Sequence, residues 1–460
     1  MRNLKRALSL ALASVMVIGM MVVGASAASY DDFSDKDEIV NKEAVQMLVE
    51  LGVINGKDDG SYDPTGIVTR AEMAKMICVV LNGGKDPSLG NVTNYSYADT
   101  VGHWAAAYIE YCSNLGIVAG DGTGNFNPNA TVTGSEAAKM LLVAMGYNAD
   151  FEGMVGANWA VATNVVANSK GLYDGLSLNV DAGLTRDSAA QMVYNALDAD
   201  TVTYDYDIIP NGDSVSALAT AKETGVTLLT DKFGVTKVEA IVVANEYATA
   251  YGSGEGALDE GKTKIEVVSE DDGGNGLGAD GTYDVSTPVD MLGKQVTMFI
   301  KYKNANSLSD KDAVVYGSPI VSGKNNIVTV TDGSYVENHG TTKGLLYKND
   351  LTVDYDKVTV LKNYEAQTIV AGSERINDTL NQIQGGTLTL IDNDNDDEVE
   401  YVIYTEYTAG VVTNYSTSGD GSIKVTGIDK YDDAADVVGF DDVAKGDFVL
   451  AIEYGGKLYV

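Results

Sequence analysis

Histidine is nearly missing from this chain: His103 and His339 are the only two among 460 residues. That scarcity excludes histidine-rich zinc sites and makes a Ser-His-Asp triad improbable. No Gly-x-Ser-x-Gly elbow, phosphate loop or dinucleotide fingerprint takes their place. Cysteine is as scarce. Cys78 and Cys112 are too few for a disulfide framework in so long a chain. Both fall among apolar residues of expected helices and read as small buried hydrophobes; whether they pair with each other stays open. Basic side chains are outnumbered, 31 against 66 acidic, for a net charge of −35. Such a field repels nucleic acid and anionic membrane and makes calcium a reasonable guest. With so many acids, a carboxylate pair for glycoside hydrolysis can be drawn in many places, and sequence does not give the separation that would select one.

Long apolar runs are absent except at the start. Arg2, Lys5 and Arg6 precede a run from Ala7 to Val23, and Ala25-Ser26-Ala27 follows as a small-residue exit. This is the pattern of a secretion signal over residues 1–27, cut before Ala28. Its removal takes the net charge from −35 to about −38 through the loss of three basic residues. No later segment is apolar enough to span a bilayer, so the mature chain is expected outside the cell, with no membrane contact and in need of another attachment.

What is present is repetition. Leu51-Gly52-Val53-Ile54-Asn55-Gly56 aligns with Leu115-Gly116-Ile117-Val118-Ala119-Gly120, and the register then holds without a gap. Gly60 meets Gly124, Tyr62 meets Phe126, Pro64 meets Pro128, and Thr69 meets Thr133. A third copy is weaker: Trp159 precedes Gly171 by the interval that separates Trp104 from Gly116, and Thr185-Arg186 stands where Thr69-Arg70 stood. The copies span 28–86, 87–149 and 150–200. Each reads as helix, loop, helix. The second helix starts at the Thr, and in the first two copies Glu72 and Glu136 sit at the capping-box spacing. Apolar residues follow at helical intervals: Met73, Met76, Ile77, Val80 and Leu81, then Ala137, Met140, Leu141, Ala144 and Met145, then Ala189, Met192, Val193, Ala196 and Leu197. One helix pair cannot bury its stripe alone, whereas three packed about a common axis can. The loops Gly56–Gly60 and Gly120–Gly124 are turn chemistry without the ligand periodicity of an EF-hand.

These residues resemble the S-layer homology family. The second copy carries Tyr97-Ala98-Asp99, His103-Trp104-Ala105, Gly116-Ile117-Val118-Ala119-Gly120 and Phe126-Asn127-Pro128. The first carries Phe33-Ser34-Asp35, Gly52-Val53-Ile54-Asn55-Gly56, Tyr62-Asp63-Pro64 and Thr69-Arg70-Ala71-Glu72. The resemblance, over about residues 30 to 200, implies a pseudo-threefold helical bundle whose grooves hold secondary cell-wall polysaccharide, often through an anionic pyruvylated sugar. It makes Arg70 and Arg186 groove residues, with Glu72 beside the first. A guanidinium can hold a carboxylate bidentately, or it can pair with a nearby acid. Trp104 and Trp159, the only tryptophans, can stack on a sugar ring or serve as core. The copies depart from the pattern at Gly134, where Arg is expected, at Val40, where Trp is expected, and at Asp187-Ser188. One or two working grooves are therefore expected, not three.

Beyond Asp200 the pattern becomes all-β, of sandwich or barrel type, with short alternating runs such as Lys237–Val243 and Val296–Tyr302. Val238–Val242 faintly resembles Val399–Ile403, and Gly293–Val296 resembles Lys445–Phe448. Two or three modules with borders near 320 and 410 are expected in 201–460, and Glu270–Gly276 reads as a flexible loop. In Asp392-Asn393-Asp394-Asn395-Asp396-Asp397, the carboxylates of Asp392, Asp394 and Asp396 can converge on calcium or simply solvate a hairpin turn.

The expectation is a non-enzymatic, secreted protein of the cell wall or surface layer. It would anchor non-covalently to wall polysaccharide and display a β-rich region as a structural protein, with self-assembly into a lattice. A wall-anchored adhesin and a wall-anchored glycoside hydrolase are the alternatives.

Overall fold

The structure is a computed structural model. It describes residues 30–211, 214–251, 256–268, 278–304, 307–330, 336–337, 345–347, 351–354, 357–367 and 386–460. The expected signal segment, the Glu270–Gly276 loop and His339 lie outside the described residues. Two compact units follow one another, Met1–Val235 and Thr236–Val460.

The first unit holds six α-helices among the described residues: α1 (Lys42–Glu50), α2 (Arg70–Leu81), α3 (Ala106–Asn114), α4 (Gly134–Ala144), α5 (Trp159–Ser169) and α6 (Arg186–Asp198). α2 and α4 begin in full capping boxes. Thr69 and Thr133 accept from the backbone N–H groups of Glu72 and Glu136, and each Glu side chain returns to the Thr backbone. α6 begins at Thr185, whose side chain accepts from Ser188 N. The loops before α2 and α4 are each pinned by one aspartate. Asp35 accepts from Tyr62 N at 2.7 Å and Asp63 N at 2.8 Å. Asp99 accepts from Phe126 N at 2.8 Å and Asn127 N at 2.7 Å. Gly56 and Gly120 lie beneath these loops. A Cβ on Gly120 would stand 2.6 Å from both the Asn125 carbonyl oxygen and the Tyr97 ring, and one on Gly56 would stand 2.5 Å from the Phe33 ring.

The helices do not pair as hairpins within a copy. α2 packs on α3, α4 on α5, and α6 returns to α1, so each second helix meets the first helix of another copy. α2 and α6 also contact α4. Periodicity shows that a helix has an apolar stripe but not which helix covers it. Backbone hydrogen bonds at the starts of α2, α4 and α6 link the same segments. Val68 N donates to Leu184 O, Leu184 N to Val132 O, and Val132 N to Val68 O, each at 3.0 Å, with all three side chains buried. Two N–H groups at each helix start donate to another copy's loop. Arg70 and Ala71 reach Ala130 and Pro128, Gly134 and Ser135 reach Ala182 and Val180, and Arg186 and Asp187 reach Gly66 and Pro64. Asp187 also accepts from Asn41 N at 3.2 Å and Asn41 Nδ2 at 2.6 Å, which ties the third copy to the head of α1. After α6 an antiparallel ribbon forms from β1 (Asp200–Asn211) and β2 (Ser214–Thr227).

The second unit is all-β apart from short 3-10 turns. β3 (Thr236–Asn245), β4 (Thr263–Val267), β5 (Gly281–Tyr283), β6 (Gln295–Lys301) and β7 (Val314–Val321) form a sheet in the order β5-β4-β3-β6-β7. β8 (Asn326–Val330) belongs to a second sheet. β9 (Val336–Glu337), β10 (Leu345–Tyr347) and β11 (Leu351–Val353) make a small sheet of their own. β12 (Thr359–Lys362), β13 (Glu365–Ala366), β14 (Gly386–Asp392) and β15 (Tyr401–Glu406) complete the second sheet, in the order β13-β12-β15-β14-β8. The last sheet takes β16 (Thr408–Ser416), β17 (Ser422–Val425), β18 (Val437–Val438), β19 (Phe448–Tyr454) and β20 (Lys457–Tyr459), ordered β17-β16-β19-β20-β18. The first two five-stranded sheets share one core: Val238, Val296 and Met298 pack with Leu361, Ile391 and Ile403. The last sheet has its own core, around Val412, Ile423 and Leu458.

Gly120→Ala is expected to destabilise the helical unit by about 2 kcal/mol, because the added methyl overfills a space bounded by backbone and ring. Denaturant unfolding of the full chain, followed by helical circular dichroism, reads this directly.

Candidate functional site

Arg70 is the first residue of α2, so its side chain leaves the helix where another copy's loop supplies carbonyl groups. Its Nε donates to Phe126 O at 2.9 Å and its Nη2 to Ala119 O at 2.9 Å. Nη1 pairs with Glu136 Oε1 at 2.6 Å, and the guanidinium lies 4.6 Å from the centre of the Phe126 ring. Only 12% of the side chain is exposed. Glu136 divides its work, since Oε2 closes the cap with Thr133 while Oε1 takes the arginine.

Arg186 repeats the arrangement. Its Nε donates to Tyr62 O at 2.8 Å and its Nη2 to Asn55 O at 3.0 Å, with the guanidinium 4.9 Å from the Tyr62 ring centre. One element differs. The acid that corresponds to Glu136 is Glu72, which is exposed, and Arg186 has no ion pair among the described residues. At the third corresponding place Gly134 carries no side chain. A Cβ there would stand 3.0 Å from the Val180 Cα and 3.2 Å from its carbonyl oxygen.

A groove of about 620 Å³ opens beside Arg70. Arg70, Glu136 and Lys139 give it a charged side, Trp159 an aromatic one, and Ile117, Val118 and Met140 an apolar part. Lys139 Nζ stands 5.7 Å from the Trp159 ring centre. Burial lowers its pKa, opposed by the charge of Asp150, and among the described residues it has no ion pair. A partly desolvated cation beside a half-buried indole can hold an anionic sugar, with the sugar's ring face against the aromatic and its carboxylate toward the ammonium. Asp121, at the rim, is held at about 2 by hydrogen bonds from Thr123 and Asn127, so it stays ionised.

Of the residues singled out in the sequence, Arg70 and Trp159 therefore line one groove, while Glu72, Trp104 and Arg186 do not line it. Trp104 is 44% exposed and packs with His103 and Tyr108. Lys139 and the second role of Glu136 were missed. The available signal was a repeated lysine, because Lys75 and Lys139 each follow the capping glutamate by three residues.

The family model described as "S-layer homology domain" matches residues 32–74 and 96–138. A "Cell surface protein" of Thermoanaerobacter kivui is 25% identical over 401 residues, covering 85% of this chain and 50% of that protein. An "S-layer protein" of Bacillus licheniformis is 31% identical over 112 residues, 24% of this chain and 12% of its own. This chain is an S-layer homology domain protein of the cell surface. "Exoglucanase XynX" of Acetivibrio thermocellus is also similar, 31% identical over 182 residues, 36% of this chain and 16% of the enzyme. The chain thus spans half or less of the length of these curated relatives. Secretion and association with the wall follow from the S-layer homology match and the surface relatives, and no described helix is long and apolar enough to cross a membrane. The two matched segments run from the turns that bear Asp35 and Asp99, through α1 and α3, to the early turns of α2 and of α4, and so include Arg70, Glu72 and Glu136.

In the second unit the acidic turn is a separate cluster. Asp392 is fully buried and accepts from the backbone N–H groups of Asn395, Asp396 and Asp397. Asp392, Asp394 and Glu400 each bring a carboxylate oxygen within 4.8 Å of the others and could hold a hard cation. Asp396 is not in that group and accepts from Glu398 N instead. Glu400, which precedes β15, was not read as a partner in sequence. Burial pushes its pKa up to about 7, with the charges of Asp394 and Asp392 adding to the rise.

Two outcomes are expected. Arg70→Ala should cost about 3 kcal/mol of helical-unit stability, since it leaves Glu136 unpaired and two carbonyls without donors. Arg70→Lys should recover less than half of this, because an ammonium cannot serve all three acceptors. Glu400 binds its proton more tightly folded than unfolded, so its contribution to stability falls as pH rises from about 4.5 to about 7 and is flat above. In chelator-containing buffer, Glu400→Gln should flatten that slope and raise the melting temperature of the β-rich unit above neutral pH, as read by calorimetry.

Proposed function

We propose that the chain holds itself to the bacterial wall by binding an anionic secondary cell-wall polysaccharide in the groove between Arg70 and Trp159. The observation that carries this reading is Lys139, a partly buried cation without an ion pair among the described residues, beside an indole in a strongly acidic protein. In this reading the three copies form a pseudo-threefold bundle, supported by the cyclic hydrogen bonds among Val68, Val132 and Leu184. Arg70 shapes the groove, while Lys139 and Trp159 contact the sugar. The Arg186 seam is a second and weaker groove, and the Gly134 seam is not used.

The region beyond Asp200 is displayed outward as a structural surface-layer or surface protein without enzymatic activity. The relative named as a cell surface protein supports this, because its similarity extends over most of the chain.

The test is co-sedimentation of the full chain with purified wall sacculi before and after the polysaccharide is stripped. Binding should be lost on stripping, and Lys139→Ala and Trp159→Ala should each weaken it by about tenfold, the worth of one charged or stacking contact. Unchanged binding to stripped peptidoglycan would overturn the reading.

A further inference from the structure

The chain's two cysteines sit in a helix seam that the groove does not use. Cys78 on α2 and Cys112 on α3 are both buried, with their sulfurs 3.4 Å apart. Each thiol also reaches the opposite helix: Cys78 Sγ lies 3.6 Å from Tyr108 O, and Cys112 Sγ lies 3.6 Å from Ala74 O. Each of those carbonyls belongs to the residue four positions before the other cysteine, so the two thiols interlock across the seam.

The repeats provide an internal control. The offsets that align the copies place Leu142 and Ala167 at the corresponding positions of the α4–α5 pair, and Tyr194 and Leu48 at those of α6–α1. Leu142, Ala167 and Leu48 are fully buried. Hydrocarbon fills the α4–α5 position, so packing does not require sulfur there. In the one seam that has cysteine, both residues are cysteine and they face each other.

We propose that Cys78 and Cys112 are joined by a disulfide that staples α2 to α3, and so the first copy to the second, as the secreted chain folds outside the cell. Thiols persist in the reducing cytosol and oxidise outside it. An S–S bond of about 2 Å asks the two sulfurs to approach by little more than 1 Å from their present separation. The oxidant is a small-molecule disulfide. One cysteine thiolate attacks it, forming a mixed disulfide and releasing one small thiolate. The second cysteine thiolate then attacks the protein sulfur of that mixed disulfide and releases the other. Two protein protons end on the two released thiolates, and two electrons pass from the cysteines to the oxidant. The order of events follows from burial. In the closed seam the hydrogen bond with Cys78, together with burial, holds the Cys112 thiol far above its ordinary pKa, and a neutral thiol does not attack. Exchange therefore precedes closure, and the finished bond is shielded from reductant.

The test is export of the full chain by a bacterial host into medium containing oxidised glutathione, with alkylation under denaturing conditions at harvest. Peptide mass analysis should find Cys78 linked to Cys112 and neither alkylated. Reduction of the unfolded chain followed by refolding without oxidant should lower the melting temperature of the helical unit on the order of 10 °C. The double variant Cys78→Leu/Cys112→Ala, which copies the α4–α5 seam, should fold and lose this sensitivity to reduction. Alkylation of both cysteines in the exported wild-type chain, or a glutathione adduct on each, would overturn the proposal.

Discussion

A helix start leaves backbone N–H groups without partners, and in this protein no copy satisfies all of its own. The threonine side chain takes one donor, and two more are taken by carbonyls of a loop from another copy, at Ala130 and Pro128, at Ala182 and Val180, and at Gly66 and Pro64. The three exchanges run in one direction and close on themselves, with the bonds among Val68, Leu184 and Val132 at their centre. Removing any copy would strip one of the others of acceptors and the other of donors, and would uncover the buried side chains of Val68, Val132 and Leu184 that the exchange brings together. The groove is a by-product of this exchange. The loop that supplies carbonyls to α2 also carries Phe126, and so sets an aromatic ring under Arg70.

That view changes what the motif arginine does. All three working faces of the Arg70 guanidinium are committed to the fold, through Phe126, Ala119 and Glu136. Arg186 has the same two carbonyls and ring but lacks the ion pair, and Gly134 has neither side chain nor room beside Val180. The seams are therefore graded rather than equal. In a chain of net charge −35, the cation that matters to an anionic ligand is one that no internal carboxylate has neutralised, and in the Arg70 groove that is Lys139.

The parts visible in sequence were those set by local chemistry. The Thr–Glu spacing set the helix starts at 69 and 133, whereas Asp35 and Asp99 stood out only as motif residues, and their hold on the loops came from the structure. Other parts depended on distant partners. The pairing of α2 with α3 could not be read from either stripe alone. Glu136 was visible as a cap, but its second oxygen is assigned only by a residue 66 positions away. In the β-rich unit, alternation located β3 and β6, but not that Leu361, Ile391 and Ile403 complete their core. The run of aspartates drew attention to Asp396, whereas chain pairing brings in Glu400 from the far side of the turn.

The central claim is that Trp159 meets an acidic sugar. The most direct measurement is a fluorescence titration of the Trp104→Phe chain, in which Trp159 is the remaining indole, with purified wall polysaccharide. The account requires a saturable change in emission that disappears when the polysaccharide's carboxylates are chemically reduced. Saturable binding with no change in emission, or equal binding to the carboxyl-reduced polymer, would contradict it.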